Sequence, residues 1–203
     1  HDVESRGLGD VYKRQELEPP FVCLCVSGGN TMIVDVQDYT RMRILGATRD
    51  DAAGECFDKV ARVLGIGYPG GAPMDRLAQG GDDTRYELPR AHVAGAPLDM
   101  SFSGLKTAVL NLVHNAGQKG ETLDLPGLAA SFAAAVSDTL VPRTMEAAKR
   151  LGYGKVAVAG GVAANTRIRA DLERACRRSG DKLYLPQLSL CGDNGAMIGW
   201  QAY

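Results

Sequence analysis

The chain has 203 residues, 45% of them apolar and 23% charged, which is ordinary for a globular protein and sets its scale at one domain or two small ones. A net charge of −1 gives no bulk field to recruit nucleic acid or an anionic membrane, so any such contact has to come from a local patch. No apolar run approaches the roughly 18 residues of a membrane span and nothing resembles a signal peptide, which gives a cytoplasmic reading with no membrane partner. Residues 1–16, HDVESRGLGDVYKRQE, have neither helical nor strand periodicity and read as a leader or junction. From Phe21 the pattern alternates, and FVCLCV (21–26), TMIVDV (31–36) and RMRILGA (41–47) are predicted strands of an antiparallel meander. Residues 50–65 switch to helical spacing, with Ala53, Phe57, Val60, Ala61 and Leu64 on one face. A connection rich in Gly, Pro and Asp follows over 66–100, with a short helix near 73–79. A helix is predicted over 103–117 with Ser103 as its N-cap, and a long one over 125–152 that Pro142 either kinks or divides. The chain closes with a strand at 155–159, an amphipathic helix at 165–180, a strand at 181–186 and a helix opening at 194.

This order, β-β-β-α, then helices, then β-α-β-α, predicts an α/β fold with a mixed five-stranded sheet and flanking helices. That is the topology of a ribonuclease-H-like lobe, the unit of the actin-like, sugar-kinase-like ATPases, in which two such lobes enclose a nucleotide. One complete lobe is visible here, and no internal repeat supplies a second.

Four turns of small residues carry the candidate chemistry. In VSGGNT (26–31), Ser27, Gly28 and Gly29 stand at a strand–turn–strand corner where backbone N–H groups can cup an oxygen and φ > 0 costs little. A hairpin turn has the same composition. The helix over 50–65 carries Asp51, Glu55 and Asp58 at i, i+4, i+7, with Lys59 placed to pair with Glu55. A solvated acidic face is the plain reading. Asp58, however, sits beside Phe57 in an apolar stripe just before Gly-Tyr-Pro-Gly-Gly, where an acid can meet a ligand hydroxyl or ammonium, with Gly70, Gly71 and Asp75 on the opposite wall. AGGVAAN (159–165) joins a strand to a helix whose first N–H groups are free for an anion, although Asn165 is equally a helix cap. Asp193, in CGDNG, is either a cap or a metal ligand.

The cysteines, 23, 25, 56, 176 and 191, are odd in number and include no CxxC, so they read as buried or incidental thiols. The histidines, 1, 92 and 114, show no ligand spacing, and His114 suits a helix end. Arg167, Arg169, Arg174, Arg177 and Arg178 load one helix with positive charge, either a solvated face or a contact for nucleic-acid phosphates.

Together and in this order, VSGGNT (26–31), DDAAGECFDKVARVLGIGYPGG (50–71), SFSGLKT (101–107), AGGVAAN (159–165) and GDNGAMI (192–198) resemble the tRNA adenosine threonylcarbamoyltransferase family of the bacterial TsaD (Gcp) type, formerly labelled O-sialoglycoprotein endopeptidase. The resemblance covers residues 17–203. It implies an actin-like fold and an acyltransferase that moves threonylcarbamoyl from its adenylate to the N6 amine of the adenosine beside the anticodon in tRNAs reading A-starting codons. It also implies that Cys25, Val26, Ser27, Gly28 and Gly29 hold the adenylate, that Asp58, Gly71, Asp75 and Asn165 contact substrate, and that Asp193 ligates one divalent metal, usually iron. The partners it implies are tRNA, threonylcarbamoyl-adenylate, a TsaB-type paralogue and a TsaE-type ATPase.

The chain departs from the family's pattern at Asn30, where SGGHT has His, and at Gly192, where Thr or Ser is usual. The family's two histidine ligands form a HxxxH pair on a helix before the VSGG strand. The expectation is therefore that 17–203 is the second lobe of such a transferase, with the first lobe missing, the last helix stopping early at Tyr203, and the piece inactive alone. Two other classes compete: an ATP-dependent phosphotransferase of the same superfamily, and a non-catalytic scaffold paralogue.

Overall fold

The computed structural model describes residues 17–192. Strands β1 (Phe21–Val26), β2 (Thr31–Val36), β3 (Met42–Ala47), β4 (Lys155–Ala159) and β5 (Lys182–Tyr184) form one sheet in the order β3-β2-β1-β4-β5. β1 pairs antiparallel with β2, Val26 opposite Thr31, and parallel with β4, Val22 opposite Val156. β4 in turn pairs parallel with β5. This is the mixed five-stranded sheet that the sequence predicts.

Strand alternation sends Val22, Leu24, Val26, Ile33, Val156 and Val158 to one face, where they form the main core with residues from every described α-helix. Those helices are α1 (Ala53–Val63), α2 (Gly71–Ala78), α3 (Ser103–Lys119), α4 (Leu125–Leu151) and α5 (Thr166–Ser179). At the centre, Phe57 of α1 meets Phe132 of α4 edge to face, with ring centroids 5.0 Å apart. The other face carries a smaller apolar cluster of Cys23, Val34, Val36 and Ala157, which Cys25 and Met32 join.

α4 is long and apolar enough to cross a membrane by length and composition, but 78% of its most apolar window is buried inside the protein, so it serves as the core helix. Pro142 does not divide it. Proline lacks the N–H that would bond the carbonyl of Asp138, and both residues are exposed, where water can replace that bond. The next residue, Arg143, ties the helix to its surroundings, donating to three backbone carbonyls: from Nη1 to that of Thr139 (2.9 Å), from Nε to that of Asp99 (2.9 Å) and from Nη2 to that of Ala91 (2.7 Å).

The predicted cap of α3 is corrected. Ser103 lies inside the helix and its side chain caps nothing. The carboxylate of Asp50 does so from a distance, its Oδ1 accepting from the N–H groups of Phe102 (2.8 Å) and Ser103 (3.3 Å). Beside it, Asp51 meets Lys59 of α1 (2.8 Å) and Lys106 of α3 (2.6 Å), joining the starts of the two helices. Burial pushes the Asp51 carboxyl up, but these two ammonium groups outweigh it and hold the group below the ordinary carboxylate range.

Candidate functional site

β1 and β4 are parallel, so their C-terminal ends lie side by side, the position at which α/β sheets hold ligands. β1 ends in a tight turn: Ser27 N–H donates to the Asn30 carbonyl (2.8 Å) and Asn30 N–H to Ser27 Oγ (3.1 Å). Neither Gly28 nor Gly29 has a positive φ, so the expected conformational reason for glycine does not apply there. Both are exposed, and a Cβ on either would meet nothing within 4 Å. Glycine here leaves a bare strip of backbone, with two N–H groups that find no acceptor among the described residues.

Two other glycines fix that strip in place. Gly54, in the first turn of α1, donates its N–H to the Ser27 carbonyl (3.1 Å), and a Cβ there would come within 2.5 Å of that oxygen and 2.8 Å of Gly28. Gly160, just after β4, has φ +101°, and a Cβ there would stand 2.4 Å from the Val26 carbonyl oxygen. The turn is held between them.

Asp58 lies four residues after Gly54, about 6 Å along the same face of α1. Its Oδ1 accepts the N–H of Gly70 at 2.7 Å, which pins the Gly-Tyr-Pro-Gly-Gly bend to α1. Gly70 is itself packed against the helix, since a Cβ there would reach 2.2 Å from that of Ala61. Gly71 opens α2, and nothing would lie within 4 Å of a Cβ on it. The N–H groups of Gly71 and Ala72 find no acceptor among the described residues. One turn further, Asp75 uses both carboxylate oxygens on Thr166, the first residue of α5, accepting from its N–H (3.0 Å) and from its hydroxyl (2.7 Å). Asn165 Oδ1 accepts from Ile168 N–H at 3.0 Å, so the cap reading of Asn165 is correct. The start of α5 is therefore not the free anion site that the sequence suggests: one orphan N–H is taken by a carboxylate and another by an amide oxygen.

These contacts close a ring. The 27–29 turn touches Gly54; Asp58, on the same helix face, holds Gly70; α2 carries Gly71 and Asp75; Asp75 holds Thr166 beside Asn165; and the chain returns through Gly160 to Val26. Ser27, Gly28, Gly29, Asp58, Gly71, Asp75 and Asn165 are thus brought to one end of the sheet. The side chains of Cys25 and Val26 are not. Val26 is wholly buried in the main core, and Cys25 turns to the opposite face, where its Sγ lies 3.7 Å from that of Cys23. The hydrogen bond from Cys23 lowers the Cys25 thiol from its ordinary value, and the same contact, with burial, raises Cys23. All five cysteines are free, and burial pushes Cys56 up to about 12, in line with inert packed thiols.

Asp193 lies outside the described residues. Among those residues no three His, Cys, Asp or Glu side chains gather into a set that could hold a metal, so they do not by themselves fit the divalent ion that the resemblance implies. Three of the five arginines of α5 serve the fold. Arg167 pairs with Asp83 and Asp171, Arg174 with Asp171, and Arg169 donates to the carbonyls of Ala163 (2.9 Å) and Pro186 (3.1 Å). Arg177 and Arg178 remain exposed. A hollow between α4 and α5, lined by Val141, Pro142, Met145 and Ala175 with Arg178 and Ser179, lies at the far end of α5 from Thr166 and Asn165.

The sequence reading does not single out Gly54 or Thr166, and it takes Gly160 only as part of the AGGVAAN turn. A glycine in the first turn of an otherwise Ala-rich helix start was a usable signal for Gly54, because helix propensity disfavours it there. Nothing local marks Thr166.

Comparison with known proteins agrees with this architecture. The protein is 49% identical over 201 residues to the tRNA N6-adenosine threonylcarbamoyltransferase of Clostridium botulinum (strain 657 / Type Ba4), an alignment that takes in 99% of this chain and 59% of that protein. It is 47% identical, with the same coverage, to the protein of that name from Clostridium perfringens (strain ATCC 13124). The chain thus spans 59% of the length of these curated relatives. Among solved structures, full-length HypF in its phosphate- and nucleotide-bound form superposes with a TM-score of 0.67 at 15% identity, over 93% of this chain and 33% of that one. That likeness bears on the fold alone. The profile of the family described as TsaD, tRNA N6-adenosine threonylcarbamoyltransferase, matches residues 7–200, starting inside the segment 1–16 that the sequence sets apart, and the chain belongs to that family.

Proposed function

We propose that the protein of which this chain is the sequence transfers the threonylcarbamoyl group of threonylcarbamoyl-adenylate to the N6 amine of the adenosine beside the anticodon in tRNAs reading A-starting codons. The observation that carries this reading is the convergence of the 27–29 turn, Asp58, Gly71, Asp75 and Asn165 in one ring, within a chain of this family.

In this reaction the exocyclic nitrogen attacks the carbamoyl carbon, a carbon–nitrogen bond forms, the bond from that carbon to the phosphate oxygen breaks, and AMP leaves while the amine proton passes to solvent. Negative charge grows first on the carbonyl oxygen and then on the departing phosphate. The N–H groups of Gly28 and Gly29 on one side, and of Gly71 and Ala72 on the other, none with an acceptor among the described residues, suit those two oxygens. Asp58 and Asp75 act indirectly in this scheme, holding the two amide pairs in register through Gly70 and Thr166.

The metal, for which iron is the expected identity, would take Asp193 as one ligand and needs two further donors. A TsaB-type paralogue and a TsaE-type ATPase are the proposed partners, and the cytoplasm is the compartment. Incubating the protein with labelled threonylcarbamoyl-adenylate and tRNA tests the reading. Label in the RNA with one AMP released per transfer is the expected result. Cleavage of ATP to ADP with no label in RNA would instead identify a phosphotransferase, and neither activity would leave the scaffold reading.

A further inference from the structure

Tyr68 is 73% exposed, more than any other large apolar side chain among the described residues. Its backbone is nevertheless held on both sides. Before it, Gly65 and Ile66 donate to the carbonyls of Arg62 (3.1 Å) and Ala61 (2.8 Å) at the end of α1, and Ile66 packs on the main core. After it, the buried Gly70 is bonded to Asp58 at 2.7 Å. Gly67, with φ +98°, turns the chain outward between these anchors, so residues 67–69 form a short tip clamped at both ends to one helix. The Tyr68 side chain contributes nothing to the core, and the chain that follows it supplies the N–H groups of Gly71 and Ala72, which find no acceptor among the described residues. An exposed aromatic ring on an anchored tip, three and four residues before amide donors that find no acceptor among the described residues, matches a ligand with a flat heteroaromatic part and an anionic or carbonyl part.

The geometry points to Tyr68 as a stacking platform for a purine base at the rim of the ring, an inference that rests on reading this ring as a nucleotide-handling site. The base has two sources, a free adenine mononucleotide or an unpaired purine of RNA, and the stacking chemistry is shared. Tyr68→Trp in the full chain provides the probe. Its indole fluorescence, corrected for Trp200 with the wild type, is followed during titration with AMP and, separately, with an anticodon stem-loop RNA, and quenching is expected with at least one of them. Affinities for the same two ligands are then measured calorimetrically. Tyr68→Leu and Tyr68→Ala should each weaken binding about 5- to 150-fold, the span of a single base–aromatic stack, while Tyr68→Phe stays within about threefold. Loss with AMP alone assigns the ring to the mononucleotide, and loss with RNA alone to the tRNA base. Tyr68→Leu binding both ligands as the wild type does, or no quenching by either, overturns the inference. Threonylcarbamoyl transfer is scored separately. A wild type that transfers nothing, but whose purine binding falls with Tyr68→Leu, refutes the proposed function and leaves the stacking role standing. A wild type that transfers, and keeps its KM for both substrates as Tyr68→Leu, refutes the stacking role alone.

Discussion

Gly54→Ala sets two physical effects against each other, and the structure decides the sign. By helix propensity alone, alanine at a helical glycine stabilises by about 0.5–1 kcal/mol. The new methyl, however, would stand 2.5 Å from the Ser27 carbonyl oxygen and 2.8 Å from the N and Cα of Gly28, all backbone atoms that no rotamer can move aside. Forcing a methyl into a closed contact costs about 1–3 kcal/mol, and with three backbone atoms this close the upper part of that range applies, so the net expectation is a loss of up to about 2.5 kcal/mol. Gly117→Ala is the matched control: it lies in α3, and a Cβ there meets nothing within 4 Å, so the propensity gain stands uncontested. Urea unfolding of the two variants should move the midpoint in opposite directions, down for Gly54→Ala and up for Gly117→Ala. Because relief of the clash displaces the 27–29 turn, AMP affinity should fall with the first and not with the second. A Gly54→Ala protein that is stabilised like the control would refute the clasp between α1 and the turn.

Asp58→Ala leaves the N–H of buried Gly70 without its acceptor and should cost about 1–3 kcal/mol in urea unfolding; Asp58→Asn, which keeps an oxygen, should recover most of it, and equal losses would contradict the bond. Asn165→Ala removes the cap of α5 and should cost about 0.5–2 kcal/mol, with Asn165→Asp close to wild type in the same assay. The Asp51 carboxyl titrates lower in the folded chain than in the unfolded one, so its stabilisation is complete above the unfolded value and drains away as pH falls through the folded one. Asp51→Asn should therefore flatten the acid limb of stability against pH, and an unchanged limb would place the acid sensitivity elsewhere.

Where the information is local, the sequence carries it. The strands at 21–26, 31–36 and 155–159 agree to the residue, because alternation and flanking turn residues are properties of neighbouring positions. The segments that meet in the ring were readable for a similar reason, each small-residue turn ending a regular element. What escaped depends on partners far along the chain. Ser103 has the composition of an N-cap, yet a carboxylate 53 residues earlier takes the donor, and nothing near Ser103 announces it. The start of α5 reads as an open anion site until Asp75, 91 residues earlier, is seen to fill it. Among the arginines of α5, the pairing of Arg167 and Arg174 with Asp171 is an i+4 and i+3 signal within the helix, whereas the pairing of Arg167 with Asp83, 84 residues earlier, shows only in the packing of α5 against its neighbours. Pro142 is a helix breaker by propensity, overridden because it sits on the exposed side of a helix anchored elsewhere.

The central position of β1 has a consequence for synthesis on the ribosome. β2 can pair with one edge of β1 as soon as the hairpin emerges, but the partner for the other edge, beginning opposite Val22 at Val156, is translated 134 residues later. At roughly 5–20 residues per second, that edge waits roughly 7–27 s with its amides and carbonyls unpaired. Val22, Leu24 and Val26, all fully buried in the finished protein, line the waiting strand, which is the profile of a sticky nascent-chain edge. A polypeptide ending before Lys155 would therefore hold an open apolar sheet, not a smaller folded unit. Gly160, which closes the clasp on the 27–29 turn, follows β4 directly, so the proposed binding surface cannot take shape before β4 is made.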